Sequence, residues 1–580
     1  MSLQTGVQSS RGPASQRLVD RARYRVDRLK TEPNPIWIRE LKQSARLGRT
    51  PIILMVLCVM ITLIIASIGG VLSTSQSPAM IGVILFQVFF SVAYFVVVLI
   101  GPAVAANSIA SEREGRTWEA ILLTGMRPGE VARGKFMAAY TTIGMYIVML
   151  APVGALPFLF GGVTALETVV AFFFLFLIAV LAVAFGLAIS SKMASLRAAI
   201  VVTLLLAFPL SGWAFGIFGT GLSLVAHRLW PSIPEGPPIW LPSAFVRAPF
   251  GIEYVAFLIA MPLGAVAVPA WFLYEATIAS LTSVTDDRSS GLKRWFAMAT
   301  PVCVASACAL LFAVGDDDVD DAAIGALSAL VVYLSFCVYL FAGDPIGPSR
   351  RVREMWQRAG AGRLRRFFGP GVMRSAVLLF GATLLALVGT TVAALIRLEQ
   401  IHAVSMAGAT STIVVSDDRQ RVLVFAAYCC GFMVFVVGFM AWVRSRVVTA
   451  LSARLIAFAA LFGVAVGPWI VAAIAGVITE TTGLEGAAML GAPSPFYAFM
   501  MVGVVGDGGD ELRILGAGYF ASVLWALLGL LALSLAAQRT RGIIRRHEEA
   551  LAAADRMLAE EDAQARAAAE AAQPAAHPAG

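Results

Sequence analysis

Apolar residues in this chain run in long unbroken windows rather than in alternation. Twelve windows can be drawn, at roughly 51–71, 79–106, 137–160, 166–189, 198–226, 253–283, 295–315, 322–343, 375–396, 421–441, 455–478 and 515–537. Each is about 20 residues or longer, the length a helix needs to cross a hydrocarbon core. A membrane barrel would instead show segments of roughly ten residues that alternate between apolar and polar. The pattern predicts an all-α fold: a polytopic membrane helix bundle of about twelve transmembrane helices, arranged six plus six.

Composition points the same way. Of 580 residues, 59% are hydrophobic and 14% charged, against about 25% charged in an ordinary soluble domain. A single water-soluble core cannot hide that excess. A bilayer supplies the apolar solvent, and within it helices satisfy their own backbone groups.

Charge then orients the bundle. With the N-terminus in the cytoplasm, 38 of the 44 lysines and arginines fall in inside segments, and only Arg228, Arg247, Arg397, Arg419, Arg421 and Arg513 fall outside. Acids gather outside, as in Asp316-Asp317-Asp318 and Asp320-Asp321. This bias places both termini in the cytoplasm; the expected location is multi-pass in a bacterial-type plasma (inner) membrane. The net charge of +8 thus reports topology and attraction to membrane lipids, and argues against nucleic acid as a partner. Residues 1–50 are polar and basic without a short apolar core, so no signal peptide is expected.

The expected organisation is a basic N-terminal segment (1–33), an interfacial helix (34–50), a first six-helix domain (51–290), a second (291–538) and a cytoplasmic tail (539–580). A weak internal echo supports the halves: Pro242-Ser243-Ala244-Phe245 precedes the sixth window and Pro493-Ser494-Pro495-Phe496 the twelfth. Arg539, Arg541, Arg545 and Arg546 would anchor the tail, with an Ala/Glu/Arg helix running to about Glu570. The six cysteines (Cys58, Cys303, Cys308, Cys337, Cys429, Cys430) lie inside apolar runs and are expected to be reduced thiols. The four histidines lie far apart, so no metal site or cofactor is expected. No spacing suggests a catalytic set, so a transport role is expected rather than an enzyme.

The most informative polar segment lies between the second and third windows, at 107–136. It runs Ser111-Glu112-Arg113-Glu114-Gly115-Arg116-Thr117-Trp118-Glu119-Ala120-Ile121-Leu122-Leu123-Thr124-Gly125-Met126-Arg127-Pro128-Gly129-Glu130, and ends Arg133-Gly134-Lys135. Charges surround an apolar knot of Trp118, Ile121, Leu122 and Leu123. Glu112, Arg116 and Glu119 recur at helical spacing and are expected to pair on one face. Gly115 interrupts that helix. Thr117 can cap a short second helix that Gly125 closes, and Pro128 suits the first turn of the next. Such a segment places a short helix across the cytoplasmic face with an apolar knob for a partner's groove. Before the first window, Asn34 and Pro35 start another helix. Arg39, Lys42, Gln43 and Arg46 make its polar face and Trp37, Leu41 and Leu47 its apolar one, an arrangement that lies in the headgroup plane.

The Glu-x-Glu-x-Gly run, the Thr-x-Glu helix start, the leucine pair, the turn and the closing Gly-Lys resemble the pattern of type-2 ABC exporter permeases. The resemblance implies that 107–136 is a coupling helix segment that docks on a separate cytoplasmic ABC ATPase. The matching positions are Glu112, Glu114, Gly115, Thr117, Glu119, Leu122, Leu123, Thr124, Glu130, Gly134 and Lys135; Arg116 lies within the motif, and Trp118 stands where the family more often has leucine. Asn34-Pro35-Ile36-Trp37-Ile38-Arg39-Glu40-Leu41 is similar to the family's N-terminal interfacial helix. The likeness covers the first six windows. The corresponding segment of the second half, 344–374, is Arg-rich and lacks the motif, so a homodimer and an internal pseudo-dimer both stay open.

Three other features change little. Gly129-x-x-x-x-Gly134-Lys135 matches most of a P-loop, but Phe136 replaces the required Ser or Thr. Gly212-x-x-x-Gly216 and Gly463-x-x-x-Gly467 are expected to pack helices. Glu275 is expected at the cytoplasmic interface rather than at mid-bilayer. A secondary transporter and a non-transporting scaffold are the rival readings, and the substrate is not legible.

Overall fold

The computed structural model of the protein describes residues 33–46, 49–216, 229–230, 241–407, 414–478, 490–496, 498–499 and 511–571. All regular structure among them is helical. The chain divides into two compact units, residues 1–282 and 283–580. The division falls a few residues before the expected boundary at 290.

In the first unit, helix α1 (Pro35–Arg46) precedes α2 (Arg49–Leu72), α3 (Pro78–Glu114), the short α4 (Trp118–Leu123) and α5 (Pro128–Met149). Two short helices, α6 (Ala151–Gly154) and α7 (Leu156–Phe160), continue α5 after a 46° bend. Then come α8 (Ala165–Ser190), α9 (Leu196–Phe215) and α10 (Leu241–Arg247), and a π-helical stretch, Tyr254–Ala260, leads into α11 (Met261–Leu281). Local sequence explains several starts. Pro128 opens α5, and the Arg127 N–H donates to the Glu130 carboxylate at 3.3 Å. At α8, Thr164 and Glu167 form a reciprocal capping box, with N–H to side-chain bonds of 3.2 and 2.9 Å.

The second unit holds α12 (Ser290–Ala313), α13 (Val319–Phe341), the short α14 (Arg350–Arg358) and α15 (Arg363–Phe367), then α16 (Val372–Ala407), α17 (Val414–Arg446), α18 (Ala450–Ile478) and α19 (Glu511–Ala571). The twelfth window and the tail as far as Ala571 are one continuous helix of 61 residues.

Ten helices among the described residues are long and apolar enough to cross a membrane, or eleven if the bent α5–α7 run is one span. The chain is thus a multi-pass helical membrane protein. Within the window at 198–226 the described apolar helix covers Leu196–Gly212; 217–226 lie outside the described residues, as do 1–32 and Leu47.

Each unit has its own core. In the first, Phe86, Phe89, Ile143, Ile147 and Leu175 lie fully or almost fully buried where α3, α5 and α8 meet. The α3–α8 crossing is tight because Gly186 faces the Pro102 carbonyl, leaving no room for a Cβ. In the second unit, Gly438 and Gly529 do the same for α17 and α19. Close approach of this kind replaces a hydrophobic driving force that lipid does not supply. The two Gly-x-x-x-Gly motifs are not where packing is tight: a Cβ at Gly212, Gly216, Gly463 or Gly467 would meet nothing within 4 Å among the described residues. All six cysteines are free.

Candidate functional site

The site is built where α1, the end of α3, α4 and the start of α5 come together, at the Lys/Arg-rich end of the first unit. Asn34 starts α1: its Oδ1 accepts the Ile36 N–H at 3.0 Å, and its Nδ2 donates to the Glu130 carbonyl at 2.8 Å. One residue thus caps a helix and ties it to α5. Trp37 adds a second tie, its Nε1 donating to Thr141 Oγ1 at 3.3 Å. Ile36 is buried against Ile121 of α4 and Val131 of α5, with Trp118 and Met126 packed around them. Burying Ile36 stabilises the arrangement by about 2 kcal/mol. Gly134 makes the approach possible, since a Cβ there would lie 2.6 Å from Asn34 Oδ1 and 2.9 Å from Ile36 Cβ.

Beside this apolar contact lies a set of four charges. Lys135 is fully buried. Its Nζ donates to Glu40 Oε1 at 3.2 Å and to the Ser108 carbonyl at 2.8 Å. Glu112 Oε2 stands 2.8 Å from the same Nζ, as an ion pair without hydrogen-bond angles. Arg39 closes the set, donating to Glu40 at 3.1 Å and in short contact with Glu112. Two cations and two anions therefore alternate across α1, α3 and α5. Burial alone would lower the Arg39 pKa, but hydrogen bonds and charge from Glu40 and Glu112 raise it above the ordinary arginine value. A buried cation holds its position only while its partners remain.

The expected pairing of Glu112 with Arg116 and Glu119 on one helical face does not occur. Helix α3 ends at Glu114, and Arg116 takes a left-handed backbone with φ 56°. Glu119 belongs to α4 instead. Both Arg116 and Glu119 are exposed and make no ion pair among the described residues. Gly115 follows directly after the last residue of α3, as expected. Thr117 precedes α4, but its hydroxyl points back and donates to the Glu112 carbonyl at 3.3 Å rather than capping α4. Gly125 closes the segment at φ 72°. Glu114 serves a different helix, its Oε2 accepting the Leu196 N–H at 2.7 Å and so capping the start of α9. The neighbouring Arg113 donates to the Met193 carbonyl at 3.3 Å and lies over the Trp118 ring, 5.7 Å from its centroid.

Helix α4 is thereby fixed on its inner side by Ile121 and Trp118. Its outer side shows Glu119, Ala120 and Leu123, the last 88% exposed. The side chain of Leu122 lies outside the described residues. Gly129, Gly134 and Lys135 all sit in α5, and the lysine is already engaged, which disposes of the P-loop match. Tyr274 donates to the Gly129 carbonyl at 3.4 Å, and Trp271 Nε1 to Glu275 Oε1 at 3.2 Å. Glu275 is therefore level with the first turn of α5, at the end of its helix. Reading the sequence alone missed the central role of Lys135, which the Gly-Lys dipeptide marks, and the pairing of Glu40 with it. It also missed the pair at the other end of the unit, where buried Glu167 meets Arg247 at 3.1 Å.

No protein-family model, curated protein or solved structure matches this chain.

Proposed function

We propose that this chain is the membrane-spanning permease subunit of an ATP-driven ABC exporter, worked by a separate cytoplasmic ATPase. The observation that carries the reading is α4: a short helix with an exposed leucine whose inner side is fixed to three other helices. A loose loop would absorb a push from a soluble motor, whereas a helix held by Ile36, Ile121 and the Lys135 charge set would transmit it to α3 and α5 together. In this reading the Lys/Arg-rich ends face the cytoplasm, α1 lies among the lipid headgroups, and Leu123, with Leu122 beside it, enters the ATPase groove. The chain acts either as a homodimer or as an internal pseudo-dimer of its two units.

The test is affinity purification of the full chain from its native membrane in mild detergent, with the retained proteins sequenced. The expected result is one retained protein with Walker motifs, whose ATP hydrolysis rises in the complex, and which is lost from Leu123→Asp. Wild-type protein that retains no ATPase, or Leu123→Asp that retains it fully, would overturn the proposal.

A further inference from the structure

A cavity of about 430 Å³ in the first unit lies among α3, α8, α9, α10 and α11, within the range of small-molecule sites. It is a slot along the helices. On α3 it runs from Phe90 to Pro102 and on α8 from Ala171 to Phe185, about 18 and 21 Å at 1.5 Å per residue. Pro242 of α10 and Leu273 of α11 also line it. Several of the lining helices carry prolines. Pro102 and Pro269 interrupt α3 and α11, Pro262 starts α11, and Pro209 interrupts α9. The three prolines inside helices each remove one backbone hydrogen-bond donor, and the slot opens beside the tight contact of α3 and α8 at Pro102 and Gly186.

The slot offers water few partners. Tyr94 and Ser211 carry its side-chain hydroxyls, and both are engaged: Tyr94 donates to the Ser211 carbonyl at 3.0 Å and Ser211 Oγ to the Phe208 carbonyl at 2.8 Å. A buried water needs two to four polar partners. An empty slot would forfeit the dispersion contacts of its aromatic walls, Phe90, Phe174, Phe185 and Phe215 among them. Of the lining helices, α3, α8 and α11 are long and apolar enough to cross a membrane, and Leu210, which lines the slot, is half exposed. A chain from the surrounding bilayer has a lateral way in.

We infer that the slot is a binding site for one aliphatic chain of a membrane phospholipid, held lengthwise between α3, α8, α9 and α11. This site is independent of the exporter reading and of any ATPase. Hydrophobicity does not drive occupancy, because bilayer and slot are equally apolar; closer packing against rigid aromatic walls does.

The test uses the full chain in phosphatidylcholine nanodiscs with a trace of phospholipid bearing a diazirine midway along one acyl chain. After illumination, adducts are mapped on peptides. Adducts are expected to concentrate on Ala171–Phe185 and Ala207–Phe215, above those on the exposed side of α11 at Leu263 and Ala267. Filling the slot with Ala265→Phe or Ala214→Phe should lower the slot adducts about tenfold, the effect of one decade in affinity. Ala267→Phe, outside the slot, should leave them unchanged. Adducts spread evenly over the lipid-facing helices, or unaffected by both filling variants, would overturn the site. So would labelling of the slot by a water-soluble carbene probe. If a filling variant does not yield folded protein, the wild-type adduct map decides the matter by itself.

Discussion

The two units fasten their Lys/Arg-rich ends with the same physics and to different effect. Each buries one lysine completely, Lys135 in the first and Lys293 in the second. Each sets an arginine over a tryptophan, Arg113 over Trp118 and Arg374 over Trp356, at 5.7 and 5.1 Å from the ring centroids. The partners differ. Lys135 is shared by two carboxylates from two helices, Glu40 and Glu112. Lys293 has one, Asp344 at 2.7 Å, together with the Gly369 carbonyl at 2.7 Å. Asp344 is a hub: Ser375 donates to its carboxylate, and Arg444 Nε to its carbonyl at 3.0 Å. The short helices differ as well. Helix α4 leaves its outer side uncovered, with Leu123 exposed. Helix α14 buries Val352 and Trp356, and two of its four arginines are taken by the unit's own tail. Arg350 meets Asp555 at 3.0 Å and Arg353 meets Glu548 at 3.1 Å. A buried lysine therefore ties helices together in both units, but the short helix beside it is crossed by the unit's own tail in the second and not, among the described residues, in the first.

Removing carboxylates should break this comparison most strongly. Asp344→Ala strands Lys293 without an ion-pair partner among the described residues and is expected to destabilise the second unit by about 3–5 kcal/mol. Glu112→Ala leaves Lys135 with Glu40, so its loss should fall at the low end, about 3 kcal/mol. Heating the full chain in detergent and following the monodisperse fraction measures both. Equal losses would mean that sharing the lysine between two carboxylates confers nothing.

Gly134→Ala sharpens the point about α1. Its methyl group must push Asn34 and Ile36 away, costing about 1–3 kcal/mol. Protease cleavage between 34 and 46 should quicken while the second unit's cleavage pattern stays unchanged. Truncation after Arg546 removes the two tail ion pairs of α14 and should cost no more than about 1 kcal/mol, since exposed pairs contribute little. A larger loss would show that the tail helix is part of the second unit's core. Leu123→Asp should change stability by less than about 0.5 kcal/mol, as an exposed position does, while abolishing ATPase retention. If it unfolds the first unit instead, α4 is a packed element and not a docking knob.

The candidate site was legible in pieces. Asn34 at the start of α1, Pro128 at the start of α5 and Gly125 at the close of the α4 segment all behave as their local chemistry predicts, because capping and turns involve neighbours in sequence. The pairing of Glu112 was misread, because helical spacing assumes that the helix continues. It stops at Glu114, and the partners of Glu112, Arg39 and Lys135, lie on other helices, Arg39 being 73 positions away. Thr117 fails as a cap for a related reason: its hydroxyl finds a better acceptor in the frayed end of α3. The glycine motifs mislead similarly. Small residues permit close approach without ensuring it, so Gly186 and Gly438 pack tightly while Gly463 does not.

The amino-acid sequence determined that the chain is helical and which of its stretches are apolar, ten of them forming helices long enough for a bilayer among the described residues, because hydropathy and backbone satisfaction act locally along the chain. It also determined that a short apolar helix stands among charges between the second and third windows. Tertiary structure alone decided which carboxylates hold Lys135, which glycines let helices touch, and that α3, α8, α9 and α11 leave a slot between them. Those outcomes depend on distances between residues far apart in the chain, and no periodicity along the chain encodes them.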